Sequence, residues 1–561
     1  MRKAIAEPIT DVRMVDAAQP GGSLREINQF VGAGVATWRI VNDLPAADQH
    51  VQHARGDATM LARHPMRLKI ANGTLVTSRG RVAADIVCRD GIIERIGTGT
   101  GEPVDEQIDA RGWLVLPGFI DPHVHSRDPG LTHKEDFAHS TRAAAAGGVT
   151  TVLEMPNAIP PVTSGAILEE RAAQHARAAS VDFGLWGLSL GAENLAEIAG
   201  LFAAGAVGVK LFWGYALHRQ TRTLVYNLAD APPDDLIPPP DNGQVLELCR
   251  EVARVGGLLA AHCEDRGVIE SAERALKGPI TTYADMLQAR PAEAEAIAIT
   301  IAGELSAMTG CRFHVVHTSS AGGIRAVQRM RREGVPLTAE TCPHYLAFTD
   351  ADFPTLGAMM KVYPPIRERT DQAALWQAVR DGTITSIGSD HAPHTLEEKA
   401  HGLASAPAGV HGVETLGAVL VDAMLGGQIT PERLAWVLSE GTARLYGLYP
   451  RKGALQPGGE ADIVLVDPNG STTIDRSRLH SKQQQSPWHG RQLRGAIKLA
   501  ILRGEMVARD AEPIGPPRGR FVRAMHGPHT SGGVDPGALA FTRELEDALS
   551  PDVMPATLFS A

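Results

Sequence analysis

The sequence predicts an α/β protein: a TIM-like (β/α)8 barrel with a small β-sandwich domain built from both flanks of the barrel. From Leu114 to about Gly427, short β-rich apolar runs alternate with helical patterns, the signature of a parallel sheet wrapped by helices. Eight such units can be counted, the number that closes a barrel. The stretches on either side, Leu68–Gly97 and Gly453–Ala508, share a different texture of short strands broken by turns, which suggests one small β-domain made from both flanks.

In chain order, residues 1–65 show no sustained period and are expected to be a peripheral extension; Met66, just before the strand-like run Leu68–Ala71, is an alternative start of translation. Residues 66–113 and 453–510 form the expected composite β-domain, with turns at Asn72-Gly73 and Arg89-Asp90-Gly91. Residues 114–452 form the barrel. Its strands are expected at Leu114–Ile120, Thr150–Met155, Phe183–Leu188, Gly208–Phe212, Leu258–Ala261, Phe313–Val316, Leu337–Glu340 and Ile384–Ser389, each followed by a helical stretch such as Glu293–Met308. An Asp- and Pro-rich segment, Ala229–Asn242, interrupts the fourth unit as a surface loop or lid insertion. Residues 511–561 read as a C-terminal tail.

With 561 residues, 43% of them hydrophobic, the chain can bury a large core and exceeds the usual size of one domain. A formal charge of -10 with scattered basic residues argues against a nucleic-acid partner. The five cysteines (Cys88, Cys249, Cys263, Cys311, Cys342) are far apart and form no CxxC pair. That argues against a disulfide framework or a thiolate zinc site and fits a reducing cytoplasm. No run of about 18 apolar residues and no secretory signal is visible, so no membrane association is expected.

The strongest local signal is His123-Val124-His125, directly after the apolar run Val115–Ile120. Residues two apart in a strand point to the same side, so both imidazoles can face one metal ion at the barrel mouth. Alone, the pattern is better read as two satisfied surface histidines. Further ligand-type residues stand at later strand ends, however: Lys210, His262, His317 and Asp390. Unrelated structural roles do not explain why each falls at the end of a different strand, where such barrels keep their chemistry. Lys210 lies in an apolar run, where an unpaired ammonium is costly. It is either half of a buried ion pair or, the preferred alternative, an amine that has reacted with carbon dioxide to give a carbamate whose two oxygens bridge two cations.

Several dispersed segments carry a resemblance: Gly118–His125, Arg127–Phe137, Met155-Pro156-Asn157, His262–Asp265, Glu340–Tyr345 and Ser389–His394. From Met66 to Arg509 the chain resembles a dihydroorotase within the cyclic amidohydrolases, a group that also holds hydantoinases, dihydropyrimidinases and allantoinases. The resemblance implies two divalent ions, zinc being the expected metal. His123, His125 and Asp390 would hold one, His262 and His317 the other, and carboxylated Lys210 would bridge them. It makes Asp390 the catalytic base and then acid, and implies reversible hydrolysis of dihydroorotate to carbamoyl aspartate in pyrimidine biosynthesis. Arg127, Asn157 and His394 would bind the substrate carboxylate, and backbone groups of Ala408 or Gly409 in Ala406–Val410 would meet the ring.

Two positions depart from the dihydroorotase pattern. Tyr363 stands before Pro364-Pro365-Ile366-Arg367 where Asn is usual, and Tyr215, five residues after Lys210, resembles a hydantoinase tyrosine that stabilises the developing oxyanion. Either tyrosine could equally be a packing residue. Arg127 thus favours dihydroorotase and Tyr215 a hydantoinase- or allantoinase-like enzyme. A catalytically dead partner of aspartate carbamoyltransferase is disfavoured, because no ligand position is lost. The expected partners are a small cyclic amide and further copies of the chain, with association with aspartate carbamoyltransferase as an additional option. His344 reads as a hydrogen-bonded support, and Thr132 with Glu135 as a helix capping box.

Overall fold

A computed structural model describes residues 66–99, 103–225 and 232–526. The expected extension over 1–65, the tail beyond 526 and residues 226–231, which include the first three of the expected insertion, lie outside the described residues. The chain enters through β1 (Arg67–Thr77), β2 (Gly80–Arg89), β3 (Ile92–Gly97), β4 (Glu106–Asp109) and β5 (Leu114–Pro117). The Asp90-Gly91 turn joins β2 to β3, both residues at positive φ (50° and 84°). Asn72-Gly73 is instead a bulge inside the single long strand β1. Gly73 is needed there because a Cβ would lie 2.5 Å from a Val115 methyl.

At Gly118 the chain passes from this sheet to the barrel, so the expected strand Leu114–Ile120 divides: β5 stays with the flanking sheet and β6 (Phe119–Val124) begins the barrel. There follow β7 (Val149–Glu154), β8 (Asp182–Leu185), β9 (Gly187–Leu188) and β10 (Val209–Trp213), then the short β11 (Ala216–His218), β12 (Leu224–Val225) and β13 (Leu236–Ile237). The remaining barrel strands are β14 (Leu258–Cys263), β15 (Arg312–Val315), β16 (Leu337–Thr341) and β17 (Ile384–Ile387). All barrel pairings are parallel, in two runs, β6-β7-β8 and β9-β10-β14-β15-β16-β17. Backbone bonds span both seams: Val207 N–H to Leu185 O (2.9 Å) at one, and His125 N–H to His391 O (2.8 Å) at the other. The arrangement is TIM-barrel-like.

Helices follow the strands, and several are started by a residue suited to capping them. Ser164, Asp241 and Ser320 accept the N–H three residues on, which satisfies a donor the helix cannot. The first helix, Phe137–Ala146, is capped by Asp136. The expected Thr132–Glu135 box does not form: Glu135 is buried and accepts the backbone N–H of Lys482 at 3.1 Å. The expected insertion Ala229–Asn242 contributes β13 to a small antiparallel sheet with β11 and β12, which precede it.

The chain returns through β18 (Ile463–Thr473), β19 (Gln492–Leu502), β20 (Glu505–Arg509) and β21 (Glu512–Pro513). β18 pairs with β5, so the two flanks join as one nine-stranded sheet, where two packed sheets of a sandwich were expected. Alternation sends Ile463 and Leu465 into a small core with Ile70 and Val115, and Val464 and Val466 into the barrel's core. Past residue 511, where a tail is expected, the chain stays packed to His526: Val522 N–H bonds Phe183 O (2.8 Å) and Met525 N–H bonds Gly447 O (2.9 Å).

Candidate active site

The six expected ligands gather at the carboxyl ends of the barrel strands. His123 lies in β6 and His125 just beyond it, Lys210 is in β10, His262 in β14, and His317 and Asp390 follow β15 and β17. The two imidazoles of the His-Val-His run reach the same atom: Asp390 Oδ1 is 3.2 Å from His123 Nε2 and 3.4 Å from His125 Nε2. These three form a group of side chains able to hold a metal ion. His262 Nδ1 and His317 Nε2 approach within 3.2 Å. His317 and Asp390 take left-handed backbone (φ 40° and 46°), as does Arg127 (φ 60°). Such strain in non-glycine residues concentrates at functional sites.

Three of the histidines have their outer nitrogen tied. His123 Nδ1 meets Glu340 Oε1 at 2.8 Å, His125 Nδ1 meets Asn157 Oδ1 at 2.7 Å, and His262 Nε2 meets Glu264 Oε2 at 2.8 Å. A proton held on the outer nitrogen leaves the inner lone pair facing the site, the arrangement metal-binding histidines use. Burial pushes all four histidines below the usual imidazole value, which favours the neutral form a metal needs. Burial works against the charge of Asp390, but His123 and the hydrogen bond from His125 outweigh it and hold the carboxyl well below its ordinary value.

Lys210 is fully buried, and its Nζ has no hydrogen-bond partner; nor has His317 Nδ1. Burial brings the amine down to about 8, against the pull of Asp390 and Glu340. Buried polar atoms without partners are uncommon in native proteins, and a bound cation or carbamate is one way to satisfy these two. A donor set of four imidazoles, a carboxylate and an amine fits divalent cations.

Five of the six expected substrate-side residues, Arg127, Asn157, Tyr215, Ala408 and Gly409, line the pocket above these ligands, together with Phe212, Leu224, Val362 and Tyr363. The sixth, His394, accepts from Lys134 Nζ at Nδ1 (3.2 Å) and so donates from Nε2 to Ala408 O (3.0 Å). Arg127 Nε donates to Pro393 O at 3.3 Å. The Tyr215 hydroxyl accepts from Arg290 (2.9 Å) and lies 3.3 Å from Glu264 Oε2, with its ring edge-on to His262. His344 is buried with neither ring nitrogen hydrogen-bonded, so the expected support is not made.

Glu340, Glu264 and Arg290 belong to the site but were not singled out from the sequence. Glu264 was within reach, since it stands two residues after His262 and therefore on the same side of the chain. Glu340 closes an expected strand. Arg290 lies in a turn between helices and carries no sequence signal.

Residues 114–507 match the model of the Amidohydrolase family. An allantoinase of Rubrobacter xylanophilus is 39% identical over 458 residues, 81% of this chain and 97% of its own length. A dihydroorotase of Caldanaerobacter subterraneus is 33% identical, over 79% of this chain and 97% of its own. Among solved structures, the L-hydantoinase (dihydropyrimidinase) from Arthrobacter aurescens superposes with a TM-score of 0.75 at 32% identity, covering 81% of this chain and 99% of its own. The dihydroorotase assignment suggested by the sequence motifs is therefore too narrow, because relatives of all three activities match over nearly their whole lengths. The chain belongs to the amidohydrolase family and is a hydrolase acting on cyclic amides.

Proposed function

We propose that the protein opens a five-membered cyclic ureide, of the allantoin or hydantoin kind, with two zinc ions held between His123, His125 and Asp390 on one side and His262 and His317 on the other, Lys210 bridging them as its carbamate. The observation that carries the choice of ring concerns the three groups expected to bind a substrate carboxylate. Asn157 Oδ1 is bonded to His125, His394 Nε2 to Ala408 O, and Arg127 Nε to Pro393 O. A carboxylate would have to displace Ala408 O from His394 Nε2 and Pro393 O from Arg127 Nε, while the Asn157 contact with His125 fixes the orientation of that amide. The 39% identity to an allantoinase supports the same reading.

When bound, such a metal pair supplies a hydroxide near neutral pH and polarises the ring carbonyl. Asp390, held ionised, takes a proton from the attacking oxygen at Oδ1 and passes it to the leaving ring nitrogen. Phe212, Leu224 and Val362 give the pocket apolar lining suited to a flat ring, and Ala408 and Gly409 offer it backbone groups.

A second reading, hydrolysis of dihydroorotate, is favoured by the position of Arg127, which lines the same pocket as the six candidate ligands. Turnover by zinc-loaded enzyme of allantoin, hydantoin, dihydrouracil and dihydroorotate decides between them. A carboxylate-free ring is expected to have the highest kcat/KM, little altered by Arg127→Met. Dihydroorotate as the best substrate, with Arg127→Met costing it a hundredfold or so, would overturn the ureide reading.

A further inference from the structure

Arg290 is fully buried in the turn between the helices Tyr283–Ala289 and Ala292–Thr309, remote in sequence from every ligand except His262 and His317. Its NH1 donates to Glu264 Oε2 at 2.6 Å and to the Tyr215 hydroxyl at 2.9 Å. Its guanidinium carbon lies 3.6 Å from the centre of the Tyr363 ring, which it covers. Its own carbonyl accepts from Arg367 NH1 at 2.9 Å, which fixes the turn. Glu264 Oε2 is also the atom that meets His262 Nε2. One cation therefore touches both tyrosines of the pocket and the carboxylate behind a ligand histidine.

We infer that Arg290 is a positioning residue that couples recognition of the ring to the metal ligand His262. The coupling follows from what each contact requires. Glu264 Oε2 meets both His262 Nε2 and Arg290 NH1, so the guanidinium fixes where the acceptor behind His262 stands. The same planar group restrains Tyr363 by stacking and Tyr215 by a hydrogen bond, a combination a lysine cannot reproduce. A purely structural buried ion pair would affect stability without separating metal binding from ring binding.

The proposal rests on the metal-ligand assignment above, but not on which ring is the substrate. Its test compares zinc-loaded wild type with Arg290→Lys and Arg290→Met, reading zinc stoichiometry under chelator competition beside KM and kcat. Arg290→Lys keeps a charge for Glu264 but loses the stacking plane. It should retain two zinc ions and raise KM about tenfold with kcat little changed. Arg290→Met strands Glu264 and should bind one of the two ions roughly 10- to 100-fold more weakly. If Arg290→Met does not fold, Glu264→Gln, which keeps the shape and removes the charge, should show the same zinc loss. Full zinc retention in both Arg290→Met and Glu264→Gln, or an Arg290→Lys variant with unchanged KM, overturns the coupling. Fewer than two ions in the wild type would overturn the ligand assignment itself, so the two failures are distinguishable.

Discussion

At the floor of the pocket, His123, Lys210 and His262 lie inside barrel strands and His125, His317 and Asp390 follow them closely; at the rim, Arg127, Tyr215, Ala408 and Gly409 lie in loops. The floor is held by carboxylates from the same sheet: Glu340 belongs to β16, and Glu264 directly follows β14. The rim is held by contacts among the loops and short helices that carry it. His394 reaches Ala408 O, Lys399 Nζ reaches Pro407 O, and Lys361 Nζ reaches Leu403 O and Ala404 O. The regular sheet fixes the chemistry, whereas the loops are free to vary what ring is admitted.

If the floor is rigid in this sense, the largest effect should come from cutting its support. Glu340→Ala leaves the His123 Nδ1 proton without an acceptor in a dry site and frees the ring to rotate. Affinity for the divalent ions should fall roughly 10- to 100-fold, measured by chelator competition. Unchanged affinity would mean that the sheet does not orient its ligands, and the contrast between floor and rim would not hold.

The same contrast explains what could be read from the sequence. That the six candidate ligands would meet in one pocket was legible because they stand at successive strand ends and a two-residue spacing fixes a common side, as with His123 and His125. The passage from β5 to β6 at Gly118 was not, because one unbroken apolar run serves two sheets. Nor was the partnership of Glu135 with Lys482, 347 residues away, which displaced a local capping motif that looked sufficient. The expected substrate-side residues were picked out by motif, but their hydrogen-bond partners depend on how separate loops meet. Arg290, a turn residue whose role comes only from four contacts in space, had no pattern to announce it.

A smaller effect, confined to the rim, is expected at Gly409. Its φ of 146° is a conformation side chains rarely adopt, and a Cβ would lie 2.3 Å from Ala392 O. Gly409→Ala must therefore push the loop away from the segment that carries His394, at a cost of about 1–3 kcal/mol. KM for the ring should rise while zinc stoichiometry stays at the wild-type value. Loss of zinc together with the rise in KM would show that floor and rim are one mechanical unit.

The smallest effect should arise where the flanking sheet grips the rim. The loop between β18 and β19 crosses to the barrel: Lys482 N–H bonds Glu135, and His480 Nδ1 and Nε2 lie 3.0 Å and 3.3 Å from Glu414 and Glu512. The hydrogen bond to Glu414 raises His480 above the usual imidazole value, and burial raises Glu414 despite that partner. Both shifts mean the folded protein holds protons more tightly than the unfolded chain. The stabilisation is then complete below the unfolded values and is lost as pH rises through the folded ones, from mildly acidic pH to just above neutral. Because His480 is only half-buried and Glu512 exposed, screening keeps the contribution of the pair under about 1 kcal/mol. The thermal midpoint of the wild type should therefore fall slightly across this window relative to His480→Gln, whose side chain keeps a donor for Glu414 but does not titrate. Parallel curves for the two proteins would remove His480 from the grip, and a change in zinc content on the same substitution would show that the grip reaches the floor.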